Sequence, residues 1–192
     1  MNQIRTFIAL DFPLSILDSI EQQTKRLRQT LGNDVIRWVL THNMHLTLKF
    51  LGNVPVSHLE FLKQMLAQAT DSITQFDLQI GGVGSFPNSN RPRVLWVGIH
   101  APALLSNLQK AIEEGAKRLG YEKEERPFSP HLTLGRVRQG LDGKDLQKIS
   151  NALSSIQLGK IGIARVDSVH IYKSDLNSEG SVYTKLFSTP LR

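Results

Sequence analysis

The sequence predicts an α+β fold of two similar lobes in one compact unit, and three observations lead there. Strand alternation and helical periodicity interleave along the whole chain. The tetrapeptide His-Leu-Thr-Leu occurs twice, at residues 45–48 and 131–134, with the two histidines 86 positions apart in 192 residues. No linker rich in Pro, Ser or Gly separates the halves, so residues 1–192 read as a single two-lobed domain.

Taken in order, residues 4–10 form an apolar strand. Pro13 and Ser15 then mark the entry to a helix with Leu17, Ile20, Leu27 and Leu31 on one stripe. Gly32-Asn33 ends that helix. Residues 35–40 read as a strand containing Trp38, residues 41–43 as a turn, and the first tetrapeptide as the start of a strand running to Leu51. Residues 52–55 read as a turn. A helix over about 57–70 carries Leu59, Leu62, Leu66 and Ala69, and alternation returns at Phe76, Leu78 and Ile80.

Residues 81–85 read as a glycine bulge and, with residues 86–92, as a loop before the strand at 94–99. No Lys-Ser/Thr follows these glycines and no helix opens directly after them, so they do not form a phosphate-binding loop. The helix at 103–119 carries Leu104, Leu108, Ile112 and Leu119. A charged, exposed segment at 121–127 precedes Ser129-Pro130, which deliver the chain extended into the second tetrapeptide strand, through Val137. A short helix after Gly140 uses Leu146, Ile149 and Leu153. Strands follow at 156–165, 166–172 and 181–187, with a polar loop at 174–180 between the last two.

A strand sends successive side chains to opposite faces. In each tetrapeptide, therefore, His and Thr share one face, roughly 6 to 7 Å apart along the strand, and both Leu point to the core. A single copy would read as a half-buried strand with a satisfied histidine. Its verbatim recurrence reads differently, because packing preserves leucines and has no reason to preserve His and Thr.

Composition narrows the setting. The chain is 40% hydrophobic and 21% charged, and no apolar run approaches the ~18–20 residues of a membrane span. The first residues lack the basic segment, apolar run and small-residue cleavage site of a secretory signal, so a cytoplasmic location is expected and no membrane partner. There is no cysteine, hence no disulfide, thiolate metal site or cysteine nucleophile. A net charge of +6 and a pI near 9.7 favour an anionic partner such as nucleic acid.

Paired histidines serve as metal ligands, as acid/base partners or as structural residues. Neither tetrapeptide has another His at helical ligand spacing, and His42, His58, His100 and His170 are scattered, so no metal is expected. Acid/base work fits better. Histidine changes charge near neutral pH, so one ring accepts a proton while the other donates, and Thr47 and Thr133 offer hydroxyl donors to developing charge. That arrangement suits a strained phosphodiester. Arg136, Arg93 and Arg91 are candidates to meet a phosphate backbone, Phe7 and Phe86 to stack on a base, and Lys49 continues the His45 and Thr47 face toward the anion. Ordinary roles for these six are solvated arginines, packed aromatics and a surface lysine.

At these residues the sequence resembles the two-histidine (2H) phosphoesterases, which carry two His-x-Thr/Ser-x motifs. Within them it is similar to the LigT-type RNA 2′,3′-cyclic phosphodiesterases, also called 2′-5′ RNA ligases. The matching stretches are residues 5–10, Trp38, residues 45–52 as His-Leu-Thr-Leu-Lys-Phe-Leu-Gly, and residues 129–136 as Ser-Pro-His-Leu-Thr-Leu-Gly-Arg. The resemblance covers essentially the whole chain. It implies antiparallel sheets flanked by helices, related by a pseudo-two-fold axis with the active-site cleft between lobes. It also implies His45 as proton donor, His131 as proton acceptor, and Thr47 and Thr133 as phosphate-binding residues. The implied reaction opens an RNA 2′,3′-cyclic phosphate to a 2′-phosphomonoester without cofactor; separately, a monomer is expected. Reversible 2′-5′ ligation, hydrolysis of small cyclic nucleotides and non-catalytic RNA binding are the alternatives.

Overall fold

The computed structural model describes residues 2–177 and 180–192. Its strands are β1 (Gln3–Leu10), β2 (Ile36–Trp38), β3 (Leu46–Pro55), β4 (Phe76–Phe86), β5 (Val94–His100), β6 (His131–Val137), β7 (Lys160–Val166), β8 (Ser168–Asn177) and β9 (Gly180–Pro190). Among the described residues four α-helices intervene: α1 (Leu14–Val35), α2 (Leu59–Thr70), α3 (Ala103–Arg118) and α4 (Gly143–Ser155). The strands make two sheets, β3-β1-β8-β9 and β2-β6-β5-β4-β7, with antiparallel pairing throughout. The α+β class with antiparallel sheets and flanking helices is therefore as expected.

The sheets do not follow the halves of the chain. β1 and β3 carry the first tetrapeptide, yet their sheet is completed by the C-terminal β8 and β9, while β2 crosses to join the second. The helices cross as well: α1 and α4 pack together with β7 of the second sheet, and α2 and α3 pack together against the first. The hydrophobic faces of both sheets and all four helices join one continuous core. A strand's alternation tells which face it buries and says nothing about which sheet it joins.

Local chemistry explains most boundaries. The α1 stripe of Leu17, Ile20, Leu27 and Leu31 is buried, and the Thr24 hydroxyl between them donates to the Ile20 carbonyl at 2.7 Å, so burying it leaves no unmade bond. Gly32 kinks α1 with φ +70°, a conformation glycine adopts freely, so the helix continues past the expected end to Val35, and Trp38 Nε1 donates to the Gly32 carbonyl at 2.9 Å. Asp142 caps α4, accepting from the backbone N–H groups of Lys144 and Asp145 at 2.8 and 2.9 Å.

Three expected turns or loops are strand instead. Residues 52–55 extend β3, where Gly52 pairs with Thr6 beside a register shift. Residues 81–86 extend β4 past the predicted bulge, which lies between Ile80 and Val83, with Gly82 at φ +73°. Residues 174–177 continue β8, paired with residues 180–183 of β9. Ser178 and Glu179, also within that expected loop, lie outside the described residues. In each case a partner strand satisfies backbone groups whatever the side chains, which composition does not reveal.

Candidate active site

His45 lies immediately before β3 of the first sheet, and His131 opens β6 of the second. Both rings, with Thr47 and Thr133, line one cavity of about 710 Å³ between the sheets. Leu46, Leu48, Leu132 and Leu134 are buried on the opposite faces, as the alternation requires. The repeat thus supplies two equivalent His/Thr pairs to one space.

Each ring is held the same way. His45 Nδ1 donates to the carbonyl of Asn43 at 2.8 Å and His131 Nδ1 to that of Ser129 at 2.7 Å, two residues upstream in both cases. A carbonyl only accepts, so Nδ1 carries hydrogen and Nε2 is the nitrogen free to exchange a proton. Burial pushes the His45 ring below the ordinary histidine value, against the Asn43 carbonyl and the Asp11 carboxylate, which pull it up. Burial lowers His131 as well, opposed by the Ser129 carbonyl and reinforced by the Arg136 guanidinium. The two rings therefore face charges of opposite sign.

The other expected residues divide. Arg136 lines the cavity, whereas Arg93 and Arg91 are exposed and do not. Arg93 serves the fold through its backbone, donating to Phe86 and accepting from Val137. Phe86 meets the His131 ring edge-on with centroids 4.9 Å apart and leans on Trp96, so it supports a catalytic candidate without lining the main cavity. Phe7 is 3% exposed, with one face against His45 and the other against Tyr172, and has no face left for a base.

Lys49 is a clear correction. A register shift in the β1/β3 pairing, where Ile8 pairs with Lys49 and Ala9 with Thr47, breaks the alternation. Leu48 and Lys49 are consequently both buried, and Phe50 is the residue that joins the His45 and Thr47 face. The Phe50 ring is 48% exposed, with the Arg5 guanidinium 4.6 Å from its centroid. Arg5, Arg37, Phe50 and Tyr183 are cavity residues that alternation alone misses. Among the described residues no three His, Asp or Glu are grouped to hold a metal, and no helix is long and apolar enough to cross a membrane.

Two antiparallel sheets that each present a His-x-Thr pair to a shared cleft define the two-histidine class. The chain belongs to the 2′-5′ RNA ligase superfamily, whose family model matches residues 16–177. It is 30% identical over 186 residues to an RNA 2′,3′-cyclic phosphodiesterase of Methanothermobacter thermautotrophicus, covering 96% of this chain and 97% of the relative. A protein of the same name from Methanocaldococcus jannaschii is 32% identical over 180 residues, with 94% and 96% coverage. Among solved structures, TT0787 of Thermus thermophilus matches with a TM-score of 0.79 at 26% identity, covering 98% of both chains. LigT of E. coli in complex with 3′-AMP matches with a TM-score of 0.76 at 26% identity, covering 99% of both.

Proposed function

We propose that this protein hydrolyses RNA 2′,3′-cyclic phosphate ends to 2′-phosphomonoesters, as a single two-lobed catalytic domain spanning residues 1–192. The observation that carries this reading is the meeting of two His/Thr pairs in one cavity, each ring with Nδ1 engaged and Nε2 left for proton exchange. The names of the relatives support it.

His131 Nε2 takes a proton from water, whose oxygen attacks phosphorus. The P–O3′ bond breaks, and protonated His45 gives its Nε2 proton to the departing O3′. Thr47 and Thr133 donate to the equatorial phosphoryl oxygens, where negative charge accumulates. Burial, reinforced by the neighbouring guanidinium of Arg136, favours the neutral, proton-accepting form of His131, while at His45 the Asp11 carboxylate works against burial to favour the charged form. Two rings accomplish both proton transfers, so the scheme calls for no metal or cofactor. Arg5, Arg37 and Arg136 give the cavity the sign that an RNA backbone requires, and exposed Phe50 offers a surface for the terminal base. One chain supplies every residue of the scheme, so a monomer suffices, and a chain without cysteine suits the reducing cytoplasm.

The test is incubation of the protein, with excess EDTA, with an oligoribonucleotide ending in a 2′,3′-cyclic phosphate. A 2′-phosphate product is expected. A 3′-phosphate would mean that the other ribose oxygen leaves, and bound but unreacted RNA would move the reading to a binding module. Reversible 2′-5′ joining is the second reading. It is favoured by a further cavity of about 350 Å³ bordering His131, lined also by Trp96 and Gly98, which gives room for a ribose hydroxyl in place of water.

A further inference from the structure

The two tetrapeptides are identical, so nothing within them makes one histidine the acid and the other the base. The distinction must come from outside the repeat. Behind His45 lies a stack of three rings: His45 on Phe7 with centroids 4.6 Å apart and planes 25° apart, then Phe7 on Tyr172 at 5.3 Å and 15°. Tyr183 closes the edge, 5.1 Å from His45 and perpendicular to it. The last plate is tied to Asp11, one residue beyond β1. Its carboxylate accepts from the Tyr172 hydroxyl at 2.5 Å and from Lys185 Nζ at 2.7 Å, and it faces His170 Nε2 at 3.5 Å. His131 has a different surround, with Phe86 edge-on and Arg136 following Thr133 on the same strand.

We propose that Asp11 is the positioning residue that makes His45 the proton donor: it anchors the Tyr172–Phe7 plates against the ring and places a carboxylate charge behind it. The inference rests on the reading of His45 and His131 as acid and base. Asp11 touches no reacting atom in this scheme and acts through the ring stack and through space.

The surrounding groups fit this role. Burial works to raise Asp11, but the hydrogen bonds from Lys185 and Tyr172 and the charges of His170 and Lys185 hold it below the usual carboxylate range, so it stays ionised. Burial and the bond to Asp11 both raise Tyr172, which keeps its proton on the shared bond. His170 is lowered chiefly by burial, against the pull of the Asp11 carboxylate. The remaining ionisable groups around His45 are Tyr183 and Lys185 on β9, Arg5 on β1, Arg37 on β2, and His131 and Arg136 across the cleft. Burial is what opposes a charged His45, and the Asn43 carbonyl and the Asp11 carboxylate are the groups that counter it.

The test is Asp11→Asn, which keeps the shape and an acceptor for the Tyr172 hydroxyl while deleting the charge. Histidine ring protons are titrated by NMR in the wild-type protein and the variant, and kcat and KM are followed against pH on a cyclic-phosphate oligonucleotide. The His45 titration is expected to fall by about half a pH unit or more while His131 holds. The alkaline limb of kcat should move down with it, with KM within about twofold and kcat near neutral pH reduced by about three- to thirtyfold. Asp11→Glu should recover part of the shift.

A His45 titration unmoved in a folded Asp11→Asn protein overturns the proposal, as does an equal shift of both rings. A fall in kcat without movement of the limb assigns Asp11 a merely structural role and overturns it equally. The NMR arm needs no turnover, so an inactive wild-type protein would count against the proposed reaction while leaving the Asp11–His45 coupling decided.

Discussion

Lys49 Nζ and Glu113 Oε2 lie 2.9 Å apart with side chains only 3% and 7% exposed. The ammonium also donates to the Glu122 carbonyl, and Gln109 and the Glu124 N–H reach the Glu113 carboxylate, each at 3.4 Å. This buried pair joins the strand of the first tetrapeptide to α3 and to the segment that leads into the second.

Deleting one partner strands the other charge out of water. Lys49→Met is expected to cost about 3–5 kcal/mol in urea unfolding. The double variant Lys49→Met/Glu113→Leu should recover much of that loss, because a packed apolar pair replaces the ion pair without leaving a lone charge. A single variant as stable as wild type would contradict the pairing.

In the proposed mechanism the histidines act as a unit. His45→Ala and His131→Ala should each lower kcat by about 100- to 10,000-fold. The double variant should cost little more than the worse single one, because each proton transfer is useless without the other. Steady-state and single-turnover rates on a cyclic-phosphate oligonucleotide check this.

In the proposed mechanism Thr47→Ala and Thr133→Ala each remove one donor to the phosphoryl oxygens, expected to cost about 10- to 1,000-fold in kcat. Thr→Ser at either position keeps the hydroxyl and should retain most activity. If serine is as damaging as alanine, the methyl group and its packing matter more than the donor.

The pH dependence follows from the direction of both shifts. In the proposed mechanism His131 reacts neutral, and its lowered value extends activity toward acid; His45 reacts protonated, and its lowered value brings the alkaline loss earlier. The bell of kcat/KM should therefore centre below the ordinary histidine value of about 6.5, its two limbs belonging to the coupled pair. Arg136→Gln relieves His131 and should move the acid limb up. An optimum near pH 8 or above would contradict the burial of these rings.

Phe50→Ala should raise KM for the oligonucleotide about fivefold to a hundredfold, the worth of one base on an aromatic face, with a smaller change in kcat. Phe50→Tyr should be close to wild type. Fluorescence binding of a non-hydrolysable oligonucleotide separates the two effects.

Residue order alone carried the two His/Thr pairs and most of the local elements. The recurrence of His, Leu, Thr and Leu revealed both pairs, and their alternation correctly sent His and Thr to the cavity and the leucines to the core. Those features are legible along the chain because a strand's period links neighbours two apart.

How the sheets share strands, and which residues surround each ring, came from the folded arrangement. The register shift between β1 and β3 buries Lys49 and presents Phe50, and it arises from pairing between strands about 40 positions apart in the sequence. Asp11, Tyr172 and Lys185 meet behind His45 because β1, β8 and β9 are neighbours in one sheet, although about 160 to 175 positions separate Asp11 from the other two. Two identical tetrapeptides acquire different electrostatic surroundings for the same reason: charges act through space, and the fold sets which of them are near.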